Sequence, residues 1–432
     1  MTNRTAVLGA LLVITIAALI FAIVWQPSDG PEETSSSGLR VVVVGVDGLD
    51  WFILQQYVSE GRMPFLGHLI GRGVLGSIGA DRPVIPTVGW TQLGNGRHLD
   101  ESALAALGEM RGASAHTGTP AMVQAATAAG ASCLTIGWPG SWPVDGNADA
   151  GMVVAPYTAN APAHQLSLAP AYLVGGTGQT APADLATRLD ETVRSGMDSW
   201  MTGFDEDILP AGETVEGWFE NELAARWSYV SDRAAVELAA GMLAEFEPEL
   251  ALIHLGGLDA VSHRFVAPGM RHFFPNLPEN AAVRYADVLP SYYEFVDSAI
   301  RRLHRLTDDR TVFVVCSAYG THPAEGDVRI SGSHERGAPG VLILSGRRIA
   351  PVPTPVELST VDLAPTLLAV IGRPIPSDFD GRIVPQAMPA GFLQSYPPVY
   401  SSFTLQDPEP VPSATDEMEA LTAAQGRFIA GQ

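Results

Sequence analysis

Three side chains in two stretches have the types and spacing to meet on one ion. In Ile253-His254-Leu255-Gly256-Gly257-Leu258-Asp259-Ala260-Val261-Ser262-His263, an apolar, strand-forming run ends in two glycines. A carboxylate and, four residues on, an imidazole follow. If a helix starts after Gly257, Asp259 and His263 share one face and can reach the same cation. The same spacing also fits an N-cap aspartate followed by a surface histidine. The third candidate, His334, lies in Ser331-Gly332-Ser333-His334-Glu335-Arg336-Gly337, where glycines and serines allow close approach. With it the set becomes two histidines and one carboxylate with an open position, the pattern of catalytic zinc sites.

Two further residues could take part in phosphate chemistry. Asp47 ends the run Val41-Val42-Val43-Val44-Gly45-Val46-Asp47-Gly48, and open α/β sheets place their ligands beyond the carboxyl ends of such strands. A turn aspartate before glycine is the plainer reading. Thr87 follows Pro83-Val84-Ile85-Pro86 and precedes a helical stretch through Trp90 and Leu93. A hydroxyl there can cap the helix, or act as a nucleophile towards phosphate, because helix N-termini favour anions.

These residues need strands to carry them, and the sequence supplies several. Leu39–Gly48, Ser132–Ile136, Leu250–Leu255, Thr311–Cys316 and Val341–Leu344 are short apolar runs of the kind buried on both faces of a parallel sheet. Between them, Met63–Ile70, Pro120–Gly130, Trp218–Phe246 and Tyr292–Leu306 carry helical periodicity. The alternation predicts one α/β domain with a largely parallel sheet. Residues 156–217 are poor in periodic signal and read as a partly irregular cover over the sheet edge.

Composition narrows the partners. A formal charge of −22, with all 25 basic residues arginine, argues against nucleic acid. Cys133 and Cys316 sit inside apolar runs and read as buried thiols, not a disulfide framework. Residues 5–25 form an uncharged apolar run long enough to cross a hydrocarbon core of about 30 Å. We read 1–26 as a single-pass membrane anchor, with Arg4 placing the N-terminus in the cytoplasm and the main domain outside. Residues 27–38 then form a linker, 39–388 the domain, and 389–432 a tail with a short helix over Asp416–Ile429.

Taken in order, the motifs resemble the type I phosphodiesterase/nucleotide pyrophosphatase branch of the alkaline phosphatase superfamily. The resemblance covers residues 39–388. It rests on Val43–Gly48, Met63–Gly73, Trp138–Pro143, the Asp259/His263 pair, His334, Val361–Leu368 and Pro376–Arg382. It implies an alkaline-phosphatase-like α/β/α sandwich with a two-zinc site at the carboxyl ends of the strands. One zinc would be held by Asp259, His263 and His334. The second would take Asp47 together with an Asp-His pair from a Ser-Asp-His-Gly motif, and would activate a Ser or Thr nucleophile. Here that motif reads Ser317-Ala318-Tyr319-Gly320, so both ligands of the pair are missing. Counting back from Trp90, Thr91 and Gly96, the nucleophile falls at Pro86, with Thr87 beside it. A downstream His-Gly dipeptide is replaced by Arg97-His98-Leu99-Asp100. His322, three residues after Tyr319, could bend back as a substitute ligand, though a surface role is the plainer reading.

One zinc ion is therefore expected, and the second lacks its ligands. Three functions fit. The first is a membrane-anchored, metal-dependent phosphoester hydrolase acting on a phosphorylated small molecule or envelope component. The second is a catalytically inactive pseudoenzyme that binds such a ligand or a partner. The third is an envelope phosphoryl-alcohol transferase.

Overall fold

The computed structural model describes residues 36–79, 84–99, 119–139, 141, 144, 151–154, 180–334, 339–388 and 390–402. The anchor assignment, residues 27–35 of the linker and the tail helix, together with Trp142, fall outside them. Among the described residues no helix is long and apolar enough to cross a membrane.

Among the described residues, nine strands form the main sheet: β1 (Arg40–Val46), β2 (Val74–Gly79), β3 (Cys133–Ile136), β4 (Met152–Val154), β5 (Thr180–Ala181), β6 (Leu250–Leu255), β7 (Thr311–Cys316), β10 (Gly340–Ser345) and β11 (Val356–Ser359). Two short ribbons complete the set, β8 (His322–Pro323) with β9 (Gly332–Ser333) and β12 (Ile375–Pro376) with β13 (Tyr400–Ser401). The sheet order is β11-β2-β10-β7-β1-β6-β3-β4-β5. Pairing is parallel from β7 through β1, β6 and β3 to β4, and between β2 and β11, while β10 and β5 run against their neighbours.

Strand β1 shows why the sheet is central. Val42, Val44 and Val46 enter one hydrophobic core, and Val41 and Val43 enter the core on the opposite face. The period of two thus buries both sides of a run that carries no polar alternation. Helices cover both faces. One face takes α1 (Trp51–Ser59), α2 (Pro64–Arg72) and the long α6 (Phe219–Phe246), together with α7 (Gly257–Gly269) and α9 (Val288–His304). The other takes α3 (Pro86–Asn95), α4 (Ala121–Ala128) and α10 (Leu363–Ile371). The predicted sandwich with a largely parallel sheet is what the chain forms.

The cover region differs from its sequence reading. Leu185–Asp207 is a 23-residue helix, α5, that buries Leu185, Leu189, Val193, Trp200 and Phe204. Those residues recur at steps of four and seven, one or two helical turns, a stripe diluted in sequence by the polar residues of a wide exposed face. The sequence reading also omits strands β2 and β11: glycines and a serine interrupt the first, and the second is only four residues long. The compact region extends beyond Met388, since β13 pairs with β12 and Phe392 is buried. Two further short helices are α8 (Glu279–Tyr285) and α11 (Phe392–Ser395).

Candidate metal centre

The site lies where β7, β1 and β6, adjacent in the sheet, reach their carboxyl ends. After β6 the chain turns at Gly256 and enters α7 at Gly257. That entry is fixed from below by Asp232 on α6, whose carboxylate accepts the Gly257 N–H at 3.1 Å and the Tyr292 hydroxyl at 3.0 Å. A Cβ on Gly257 would lie 1.8 Å from the Tyr292 hydroxyl oxygen, so only glycine fits. Burial pushes the Asp232 carboxyl up to about 7, with the hydrogen bonds opposing that rise.

So anchored, α7 places Asp259 and His263 one turn apart, with Asp259 Oδ2 3.5 Å from His263 Nε2. Gly48, at φ +70°, lets the turn after β1 run against Asp259; a Cβ there would meet Asp259 Oδ1 at 2.7 Å. His334 arrives from the β8–β9 ribbon. Ser331 N–H donates to the His263 carbonyl at 2.8 Å, and Ala267 N–H donates to Ser331 Oγ at 2.9 Å. A Cβ on Gly332 would stand 2.6 Å from the Ser262 carbonyl oxygen, so the ribbon rests backbone to backbone on α7. His334 Nε2 then lies 3.1 Å from Asp259 Oδ1 and 2.9 Å from His263 Nε2.

The donor chemistry of this cluster fits a divalent cation. His263 Nδ1 faces the Gly332 carbonyl at 2.7 Å, and His334 Nδ1 faces the Gly320 carbonyl at 3.1 Å. Carbonyl oxygens only accept, so both Nδ1 atoms carry protons, and Nε2 is the atom each ring offers to an ion. The two Nε2 atoms point at each other, beside a carboxylate. Such an arrangement is satisfied by a positive charge between them, and ring N–H groups bonded to carbonyls are what hold metal-binding imidazoles in place. The electrostatics agree. Burial would raise Asp259, yet the two imidazoles and the Thr321 hydroxyl hold it well below the usual carboxylate range. For His334, burial opposes the charged ring, but Asp259 and the Gly320 carbonyl lift it to about 9. Among the described residues, Asp259, His263 and His334 form the group that could hold a metal ion.

Asp47 stands beside this cluster, not within it. Its Oδ1 accepts the Trp90 indole N–H at 2.8 Å and the Tyr319 hydroxyl. Burial, reinforced by the Asp259 charge, pushes Asp47 up to about 7, while the hydrogen bonds from Tyr319 and Trp90 act the other way. Tyr319, which replaces the expected histidine, is fully buried, and its ring packs edge-on to His334 at 4.5 Å. Ala318 abuts Gly89 of α3, where a Cβ would come within 2.9 Å of the Ala318 methyl. Thr87 is in the first turn of α3, with Pro86 as the first helical residue. His322 pairs with Ser333 in the ribbon and stays out of the cluster.

Sequence reasoning missed His254. It lies on β6, 9 % exposed, with its ring edge-on to Trp90 at 4.6 Å and its Nε2 3.9 Å from Asp47 Oδ2. Burial pushes the imidazole down to about 3, so it is neutral. The available signal was one polar residue in an otherwise apolar strand buried on both sides.

The family model for type I phosphodiesterase / nucleotide pyrophosphatase matches residues 100–336. That stretch contains Asp259, His263 and His334; Asp47 and Thr87 precede it. No curated protein sequence matches the chain. Among solved structures, the alkaline phosphatase PafA is 8% identical, with 81% of this chain and 99% of that chain covered and a TM-score of 0.51. The phosphonate monoester hydrolase SpPMH from Silicibacter pomeroyi is 15% identical over 83% and 77%, with a TM-score of 0.43. BT1596, a 2-O GAG sulfatase, is 13% identical over 81% and 74%, with a TM-score of 0.47. The likeness to PafA shows an alkaline-phosphatase-like fold. With the profile match spanning more than half of its length, the chain belongs to the type I phosphodiesterase/nucleotide pyrophosphatase family.

Proposed function

We propose that the chain is a phosphoester hydrolase that works with a single zinc ion, tethered to a membrane through residues 1–26. Its substrate would be a phosphorylated small molecule or envelope component outside the cytoplasm. The observation that supports this most is the convergence of the His263 and His334 Nε2 atoms on Asp259, with both Nδ1 atoms tied to carbonyls. Asp259, His263 and His334 would hold the ion, which when bound supplies a Lewis acid for a phosphoryl oxygen. The chain's own contributions are positional. Helix α3 offers the N–H groups of its first turn to an anion, and Thr87 is the hydroxyl in that turn. Trp90 and Tyr319 hold the Asp47 carboxylate in one orientation. The test is hydrolysis of an aryl phosphodiester and an aryl phosphomonoester by the zinc-loaded full chain. Turnover that disappears in Asp259→Ala supports the reading; turnover that persists in that variant refutes it.

One observation favours a second reading, a pseudoenzyme that binds a phosphorylated ligand without turnover. The Tyr319 hydroxyl and the Trp90 N–H both donate to the aspartate that the resemblance assigns to the second metal. Zinc-dependent retention of a phosphate ester, with no product released, would select it.

A further inference from the structure

The two atoms that face each other across the inner wall of the site are His254 Nε2 and Asp47 Oδ2. His254 Nε2 is buried and has no hydrogen-bond partner. Asp47 uses its other oxygen for both Trp90 and Tyr319. The 3.9 Å between them is too long for a direct hydrogen bond. An oxygen bonded to each at about 2.8 Å spans such a gap. Facing a carboxylate, the imidazole keeps its proton on Nε2, so the guest must accept from nitrogen and donate to oxygen. A hydroxyl does both. A phosphoryl oxygen has no proton for the carboxylate, and a second metal ion would meet three N–H or O–H donors already aimed at Asp47.

We propose that His254 and Asp47 form the seat of the attacking hydroxyl oxygen, with His254 as its positioning residue. The inference rests on the hydrolase reading and deepens it. In the step, the seated oxygen bonds to phosphorus as the bond from phosphorus to the leaving alcohol oxygen breaks. The hydroxyl proton passes to Asp47 Oδ2, and the departing alkoxide takes a proton from solvent. The hydroxyl is either that of Thr87 or that of a water molecule, and the two share this chemistry.

The experiment pairs kinetics with crystallography on the zinc-loaded full chain, using an aryl phosphodiester as probe. His254→Ala should lower kcat by about a hundredfold, the lower range for a group acting on a transferring proton or its oxygen. KM and zinc content should stay within about twofold, well short of a lost ligand's effect. His254→Gln, whose amide N–H reaches the same place, should recover part of the loss and guards against a folding defect. A kcat within about twofold of wild type in His254→Ala, or a loss that tracks zinc content, overturns the proposal. Thr87→Ala separates the sources: lost turnover assigns the hydroxyl to the protein, and retained turnover with the same His254 dependence assigns it to water. If the wild type hydrolyses no ester, the hydrolase reading fails, and the seat is judged by a high-resolution crystal structure. An ordered oxygen within hydrogen-bond distance of both atoms upholds it, and a direct contact or an apolar filling removes it.

Discussion

The hydroxyl of Tyr319 donates to Asp47 Oδ1, the same oxygen that accepts the indole N–H of Trp90. Two donors thus point at the aspartate from which the family resemblance expects a metal bond. Restoring the missing pair with Ala318→Asp and Tyr319→His should raise metal uptake from one towards two equivalents per chain. Unchanged uptake in elemental analysis would mean that more than the ligands has been lost. Tyr319→Phe removes one donor from a buried carboxylate and should destabilise the fold by roughly 1.5–3 kcal/mol in chemical denaturation.

The intact cluster should bind one zinc ion per chain, because two imidazoles and one carboxylate suit that ion. Inductively coupled plasma measurement on the purified full chain should find close to one equivalent. His334→Ala should lose it. Two equivalents in the wild type, or none, would contradict a one-ion centre.

Gly257→Ala should be among the most damaging single changes away from the metal ligands. Its methyl carbon would lie 1.8 Å from the Tyr292 hydroxyl oxygen and 2.6 Å from Asp232 Oδ2. Forcing such contacts costs about 1–3 kcal/mol or more. The start of α7 must shift, carrying Asp259 with it. Thermal melting and zinc content should fall together; a variant that kept its zinc while melting early would separate the helix start from the site.

Asp232 gives the stability a pH dependence. Its folded value of about 7 lies above the ordinary 3.8, so the folded state binds more protons between those limits. The contribution is full below about 3.8 and is lost as pH rises through about 7. Asp232→Asn does not titrate and should flatten that decline in denaturant melts taken from pH 4 to pH 8. An unaltered slope would show that the carboxyl titrates in the ordinary range.

The sheet and half of the site were legible because local chemistry announced them. Uniform valine runs mark strands buried on both sides, and the glycine pair after Leu255 marks where α7 begins, so the Asp259–His263 spacing translates directly into geometry. His334 is different: it is 71 residues from His263, and its loop of glycines and serines marks it as able to approach an ion without saying which partners it meets. The substitutions at Ala318 and Tyr319 are visible in sequence as losses. That the tyrosine hydroxyl turns back onto Asp47 is a tertiary fact that no local pattern encodes. His254 was hidden for the same reason, since its partner is on the neighbouring strand. Helix α5 was obscured by composition, because its buried stripe of Leu185, Leu189, Val193, Trp200 and Phe204 is narrow against a polar remainder.

The backbone seam that lays the His334 ribbon on α7 has a consequence for how the protein responds to its surroundings. An ion gripped by ligands on both sides of that seam would be a removable staple across a long stretch of chain. Binding the folded state and not the unfolded one, it would make folding stability a gauge of free ion concentration, worth about 2.7 kcal/mol at a hundredfold excess over the dissociation constant. A chelator would therefore loosen the ribbon, whether or not the site ever turns over a substrate.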